Sequence, residues 1–222
     1  AGATFEQILY NVLKGGTSVF YANGAAPTDV NTALSINKQR AVIRALQAAK
    51  AKKITQVLSG STDINTTPVE AAYVAVCHTD IEPDIRSLTG FTPVAKYGSM
   101  KPICPEEIGS VENVRYILSA DLAPTPDLGG TPTTVLSTTG SAADVYPILF
   151  FGQDAFASTP LKNQRIGKSN NLVVVPSVVN PKPSPSDPLG QRGYVGWKAW
   201  FAAVRLNETW MCRLLVGASK LA

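Results

Sequence analysis

Phe5, Ile8, Leu9, Val12 and Leu13 recur at three- and four-residue intervals, the spacing that gathers apolar side chains on one face of a helix. Gly15 and Gly16 end that helix, because glycine accepts the left-handed angles of a helix terminus. A loop through "YANGAAPTD" leads to Ser35, placed to cap a second helix, "INKQRAVIRALQAAKAKK". Ile36, Val42, Ile43, Leu46 and Ala49 form its inward face, and Arg40, Arg44, Lys50, Lys52 and Lys53 its outer one. "AAYVAVCHTD" predicts a buried strand, followed by a short helix at "IEPDIRSL" with Pro83 in its first turn. "SVENVRYILSAD" predicts a further strand with Val114, Tyr116 and Leu118 in phase, and the threonine-, glycine- and proline-rich stretch 123–143 a long surface loop. "DVYPILFFGQDAFAS" is an apolar strand that exits at a glycine, and "NLVVVPSVV" is a short one. There is no internal repeat. Strands outnumber helices without regular alternation, which predicts an α+β fold over a doubly wound one.

After the connection "NPKPSPSDP" comes a ribbon that holds all three tryptophans, Trp197, Trp200 and Trp210. "RGYVGWKAWFAAVRL" and "TWMCRLLV" flank Asn207 and Glu208, which predicts an antiparallel hairpin of Tyr194–Leu206 with Thr209–Val216. Alternation sets Tyr194, Lys198, Trp200 and Val204 on one face and Val195, Trp197, Phe201 and Arg205 on the other. Neither face is cleanly polar, so both need covering: one by the first helix, the other by a neighbouring subunit.

Composition narrows the class. At 222 residues and 45% apolar content the chain can hold one large domain or two small ones. Charged residues are only 16%, against roughly 25% in an average soluble domain, which favours buried contacts with something else. No apolar run approaches the roughly 18 residues of a membrane span, and the start has no signal-peptide layout. Cys77, Cys104 and Cys212 are odd in number and far apart, fitting neither a disulfide framework nor a zinc site and agreeing with a reducing compartment. The chain opens inside a helical pattern with no initiator methionine, which reads as a fragment or processed product. Charge is segregated: residues 1–60 carry seven basic and two acidic side chains, 61–130 four and ten, and 131–222 nine and four. Such blocks suit self-association, positive patch to negative patch, although folding can also unite them within one copy.

Candidate chemistry is sparse. His78 is the single histidine, and with Asp80, Glu82 and Asp84 it is the one place for a hydrolase or metal site. Carboxylates at a helix start are favoured by the helix dipole without any ligand, so the structural reading is preferred. "GSTDIN" and "LGG" lack the lysine or glycine spacing of a phosphate loop, and no nucleophile-elbow pattern is present. The basic face Arg40–Lys53 leaves a nucleic-acid-binding module as the alternative.

"AGATFEQILYNVLKGGTSVFYA", "EIGSVENVRYILSADL", "DVYPILFFGQDAFAS" and "DPLGQRGYVGWKAWFAAVRLNETWMCRLL", in that order, closely resemble the major capsid proteins of tailed phages related to phage N-four. The resemblance implies the Hong Kong 97-type capsid fold: an axial domain with a central sheet flanked by helices, and a peripheral domain with a spine helix and a long β-hairpin. On that pattern residues 1–22 end the spine helix, 23–171 form the axial domain and 172–222 return to the peripheral domain with the ribbon. The N-terminal arm and extended loop of such proteins are absent from this sequence. The implied function is a coat subunit, neither catalytic nor cofactor-dependent, whose hexamers and pentamers enclose double-stranded DNA in an icosahedral head assembled in the host cytoplasm. Its partners would be its own copies, scaffolding or decoration proteins, and packaged DNA held without sequence specificity, with no membrane. Arg192, Trp197, Trp200, Trp210 and Glu112 are the subunit-interface candidates.

Overall fold

The amphipathic opening forms α1 (Gly2–Lys14), with Tyr10 and Leu13 buried. A computed structural model of the protein describes residues 2–58, 66–98, 101–160, 174–179, 183, 185, 187–191, 193–199 and 201–221. After α1 come β1 (Val19–Tyr21), α2 (Ile36–Ala48), β2 (Ile54–Leu58), β3 (Thr66–Cys77), α3 (Glu82–Ser87) and β4 (Phe91–Pro93). Then follow β5 (Glu107–Val111), β6 (Val114–Leu118), β7 (Tyr146–Phe151), β8 (Phe156–Pro160), β9 (Val174–Val179), β10 (Tyr194–Ala199), β11 (Phe201–Arg205) and β12 (Met211–Val216). The expected α+β class holds.

One mixed sheet runs β1-β12-β7-β3-β6-β5-β4, with β2 added on the first half of β3. Its central strands are apolar on both sides because both are covered. Tyr73, Ala75, Ile148, Phe150, Cys212 and Leu214 share a core with Val42, Ile43 and Leu46 of α2, while Val74, Val76, Leu149 and Met211 pack with Tyr10 and Leu13 of α1. The two long helices therefore lie on opposite faces of the sheet. Burying a side chain such as Phe150 or Ile148 contributes about 1.5–3 kcal/mol each.

The expected C-terminal hairpin does not form. β10 pairs with β9 and β11 with β8, giving two separate two-stranded ribbons, whereas β12 enters the large sheet between β1 and β7. The reason is burial: five of the six residues of β12 are buried, which requires cover on both faces, and the large sheet with α2 on one face and α1 on the other supplies it. β11, in contrast, leaves Val204 exposed. A 3-10 turn over Glu208–Trp210, capped by the Asn207 side chain accepting from the Thr209 amide at 3.0 Å, makes the switch.

Four smaller expectations also change. "SVENVRYIL" is not one strand but β5 and β6 joined by a turn at Glu112 (φ 53°) and Asn113, a hairpin that lacks the usual glycine. Helix α2 stops at Ala48, short of Lys53. Ala51 N–H donates to Leu46 O and Lys50 N–H to Gln47 O, with Lys50 at φ 57°, the bond pattern of a Schellman terminus. Ser35 sits at the N-cap but its hydroxyl makes no capping bond. Finally, α1 does end before Gly15 and Gly16, without positive φ: a Cβ on Gly15 would lie 2.8 Å from the Arg205 guanidinium, which donates to Val12 O at the helix end.

Candidate functional surfaces

The residues around His78 are occupied in holding the fold. His78 Nδ1 accepts from the Asp80 amide at 3.2 Å, capping the 3-10 turn Thr79–Ile81. The Tyr146 hydroxyl, its ionisation pushed up by burial and then by Asp80, donates to Asp80 Oδ2 at 2.9 Å. Asp84 is buried and accepts from the Ser219 amide at 2.9 Å, and Glu82 pairs with Arg86 at one-turn spacing. Among the described residues no group of three His, Cys, Asp or Glu side chains is placed to hold a metal ion.

Of the interface candidates, Arg192 and Trp200 lie outside the described residues. Trp197 is described as a backbone position in β10, opposite Pro176 of β9. Trp210 is half-buried against both cores, and its Nε1 donates to Ala49 O at 3.0 Å, tying the entry of β12 to the end of α2. Glu112, at the tip of the β5–β6 hairpin, accepts from Arg40 Nε at 2.9 Å, and that bond holds its carboxyl below the usual range.

The basic face of α2 is smaller than the sequence implies. Arg40 is paired with Glu112, Lys53 donates to Asn113 Oδ1 at 3.0 Å, and Lys50 and Lys52 follow the helix end. Arg44 is exposed and, among the described residues, without a partner. With Asn37, Arg40 and Ala41 it borders a shallow depression of about 220 Å³.

A feature not read from the sequence is a groove of about 680 Å³ between α1, the start of β5 and the segment after β6. Glu6, Glu106 and Asp121 border it with Tyr10, Ile108 and Ser119, and no Lys, Arg or His is among its described lining residues. Glu6 Oε1 accepts from both Tyr10 Oη at 2.5 Å and Ser119 Oγ at 2.7 Å. Burial, followed by the bond to Glu6 and the charge of Asp121 among lesser causes, pushes the Tyr10 hydroxyl well above its ordinary pKa.

One wall of this groove is set by a buried charged cluster. Arg115, 1% exposed, donates to Lys101 O at 3.2 Å and lies 3.7 Å from Glu107 Oε2, 3.6 Å from Glu70 Oε2 and over the Tyr97 ring. Glu107 in turn accepts from Tyr97 Oη at 2.8 Å and from the Ile103 amide at 2.5 Å. Buried charges persist only when paired and hydrogen-bonded, and here the pairing ties Tyr97, Lys101 and Ile103 to Glu107 and Arg115 and so positions the neighbouring Glu106.

No protein-family model matches the chain, and no curated protein matches it significantly. Solved structures do. A chain in the capsid of Ralstonia phage GP4 aligns with a TM-score of 0.57 at 16% identity, over 92% of this chain and 53% of that one. A chain in the head structure of Helicobacter pylori bacteriophage KHP40 aligns with a TM-score of 0.57 at 10% identity, over 98% and 64%. A chain of Mycobacterium phage Che8 aligns with a TM-score of 0.50 at 11% identity, over 96% and 58%. The protein thus spans between about half and two-thirds of the length of these chains. Nearly its whole length takes part in each alignment, and it has the fold of the aligned chains in these phage structures.

Proposed function

We propose that the protein is a coat subunit of a phage head, a structural protein without catalysis, whose copies associate in rings of six and five to form an icosahedral shell around double-stranded DNA. The observation that carries this reading is the alignment of over nine-tenths of the chain with phage capsid and head chains. Two features of the molecule agree with it. His78 Nδ1, Asp80, Glu82 and Asp84 each have a structural partner, and segregated charge leaves oppositely charged surfaces in separate places. In this reading the large sheet with α2 and α3 is the axial part, and α1 with the two ribbons is the peripheral part of a Hong Kong 97-type subunit. Strand β12 then belongs with the sheet, so the peripheral return covers the ribbon strands and ends before Met211. Scaffolding or decoration proteins would bind the assembled surface, and assembly would take place in the host cytoplasm.

Electron microscopy of the purified protein across protein and salt concentration tests this. Closed shells or five- and six-fold rings are expected. A protein that stays monomeric throughout, with its fold intact, contradicts the proposal.

A further inference from the structure

The exposed face of α2 and the groove beside α1 carry opposite charge and cannot meet within one molecule. α1 and α2 cover opposite faces of the large sheet. Arg40 is held at Glu112, at the tip of the β5–β6 hairpin, whereas Glu106 precedes the other end of β5. That separation is on the order of 20 Å at about 3.3 Å per strand residue, beyond a Debye length of about 8 Å at physiological salt. Each surface therefore keeps its own field. The groove gathers carboxylates with no described cation among its lining residues, and Arg44 projects from α2 with no described partner.

We infer that α2 of one copy docks on the acidic groove of the next, with the Arg44 guanidinium seated between Glu106 and Asp121. The inference rests on the coat-subunit reading and deepens it by naming the surfaces that join neighbours. A long planar guanidinium matches a groove of this kind, because its five N–H donors can serve several carboxylate oxygens at once. Ile108 and the stem carbons of Arg44 give the contact an apolar floor. Ala41 leaves room on the helix for the groove rim. Since the two surfaces differ, the contact is head-to-tail, and repetition of a head-to-tail contact closes into a ring when its rotation divides a full turn. Each copy then uses both surfaces once. Glu6 plays no part in the exchange, because its carboxylate already serves Tyr10 and Ser119.

Charge exchange between the surfaces tests this on the full chain. Sedimentation velocity over a concentration series reads self-association at low salt, and thermal melts check that each variant folds. Arg44→Glu and Glu106→Lys, both exposed positions, should each weaken association about tenfold or more, since a like charge at a docking surface is strongly unfavourable. The two changes in one chain should bring association back to within about threefold of the original, as should equimolar mixing of the two single variants. If the single variants associate as well as the parent, or if the double variant and the mixture stay as weak as the singles, the inference is wrong. That result leaves the coat-subunit reading intact whenever shells or rings still appear by microscopy. If Arg44→Glu changes only the binding of a short DNA duplex and not self-association, the α2 face serves nucleic acid and the inference is again overturned. A parent chain that never associates overturns it as well.

Discussion

Several single side chains carry more of the fold than their types suggest. Trp210 reads as ribbon aromatic surface in the sequence, yet its indole N–H closes a bond to Ala49 O across 161 positions of chain. Trp210→Phe keeps most of the ring packing and removes that bond, so chemical denaturation should show a loss of about 1 kcal/mol. Gln39, on the inward face of α2, is buried because its amide donates to Val111 O at 3.1 Å and accepts from Tyr116 Oη at 2.8 Å. Neither it nor Arg115 was legible as core, because buried polar residues are recognised by their partners, and those lie on other elements. Tyr97 offers a test by pH. Burial, with the bond to Glu107 among the further causes, pushes its hydroxyl up to about 12 in the fold, while an unfolded tyrosine ionises near 10. The associated stability is complete below pH 10 and is lost as pH rises towards 12. Tyr97→Phe should flatten the fall in unfolding free energy over that window, measured by urea titration at successive pH values. The same variant should lose about 1 kcal/mol at pH 7 through the missing bond to Glu107.

At the scale of elements, periodicity located most helices and strands while pairing remained hidden. α1, α2, β3, β7 and β9 are where the spacing of apolar residues puts them, since one or two buried faces leave a period in the sequence. A strand's neighbours leave no such mark. β11 and β12 are separated by a turn-like Asn207-Glu208 and both alternate, so a hairpin was the local solution, but burial of β12 on both faces decides otherwise. Engineered disulfides distinguish the two pairings. Ala157→Cys with Val204→Cys should cross-link on oxidation, because these residues face each other across β8 and β11. Ala203→Cys with the native Cys212, neighbours only in the hairpin pairing, should remain reduced, as peptide mapping would report. The end of α2 gives a second test. Lys50 occupies the left-handed position of the helix terminus at φ 57°, where a glycine avoids the steric cost. Lys50→Gly should raise stability by about 0.5–1 kcal/mol in thermal or urea melts.

For the whole molecule, charge segregation was visible along the chain and its consequence was not. Blocks of opposite sign could have met inside one copy, and in part they do: Arg40 of the first block pairs with Glu112 of the second. The acidic groove remains outside that pairing because Glu6, Glu106 and Asp121 converge from three separate segments and leave no local motif. The resemblance to capsid proteins and the measured likeness of fold agree, since most of the chain enters both. The proposed role as a shell subunit is tested by a cryo-electron microscopy reconstruction of particles assembled from the purified protein. A closed shell is expected whose five- and six-fold units repeat the eight-stranded sheet, with α1 and α2 on its two faces. Absence of any symmetric assembly from well-folded protein, or a shell into whose density this fold cannot be placed, would contradict it.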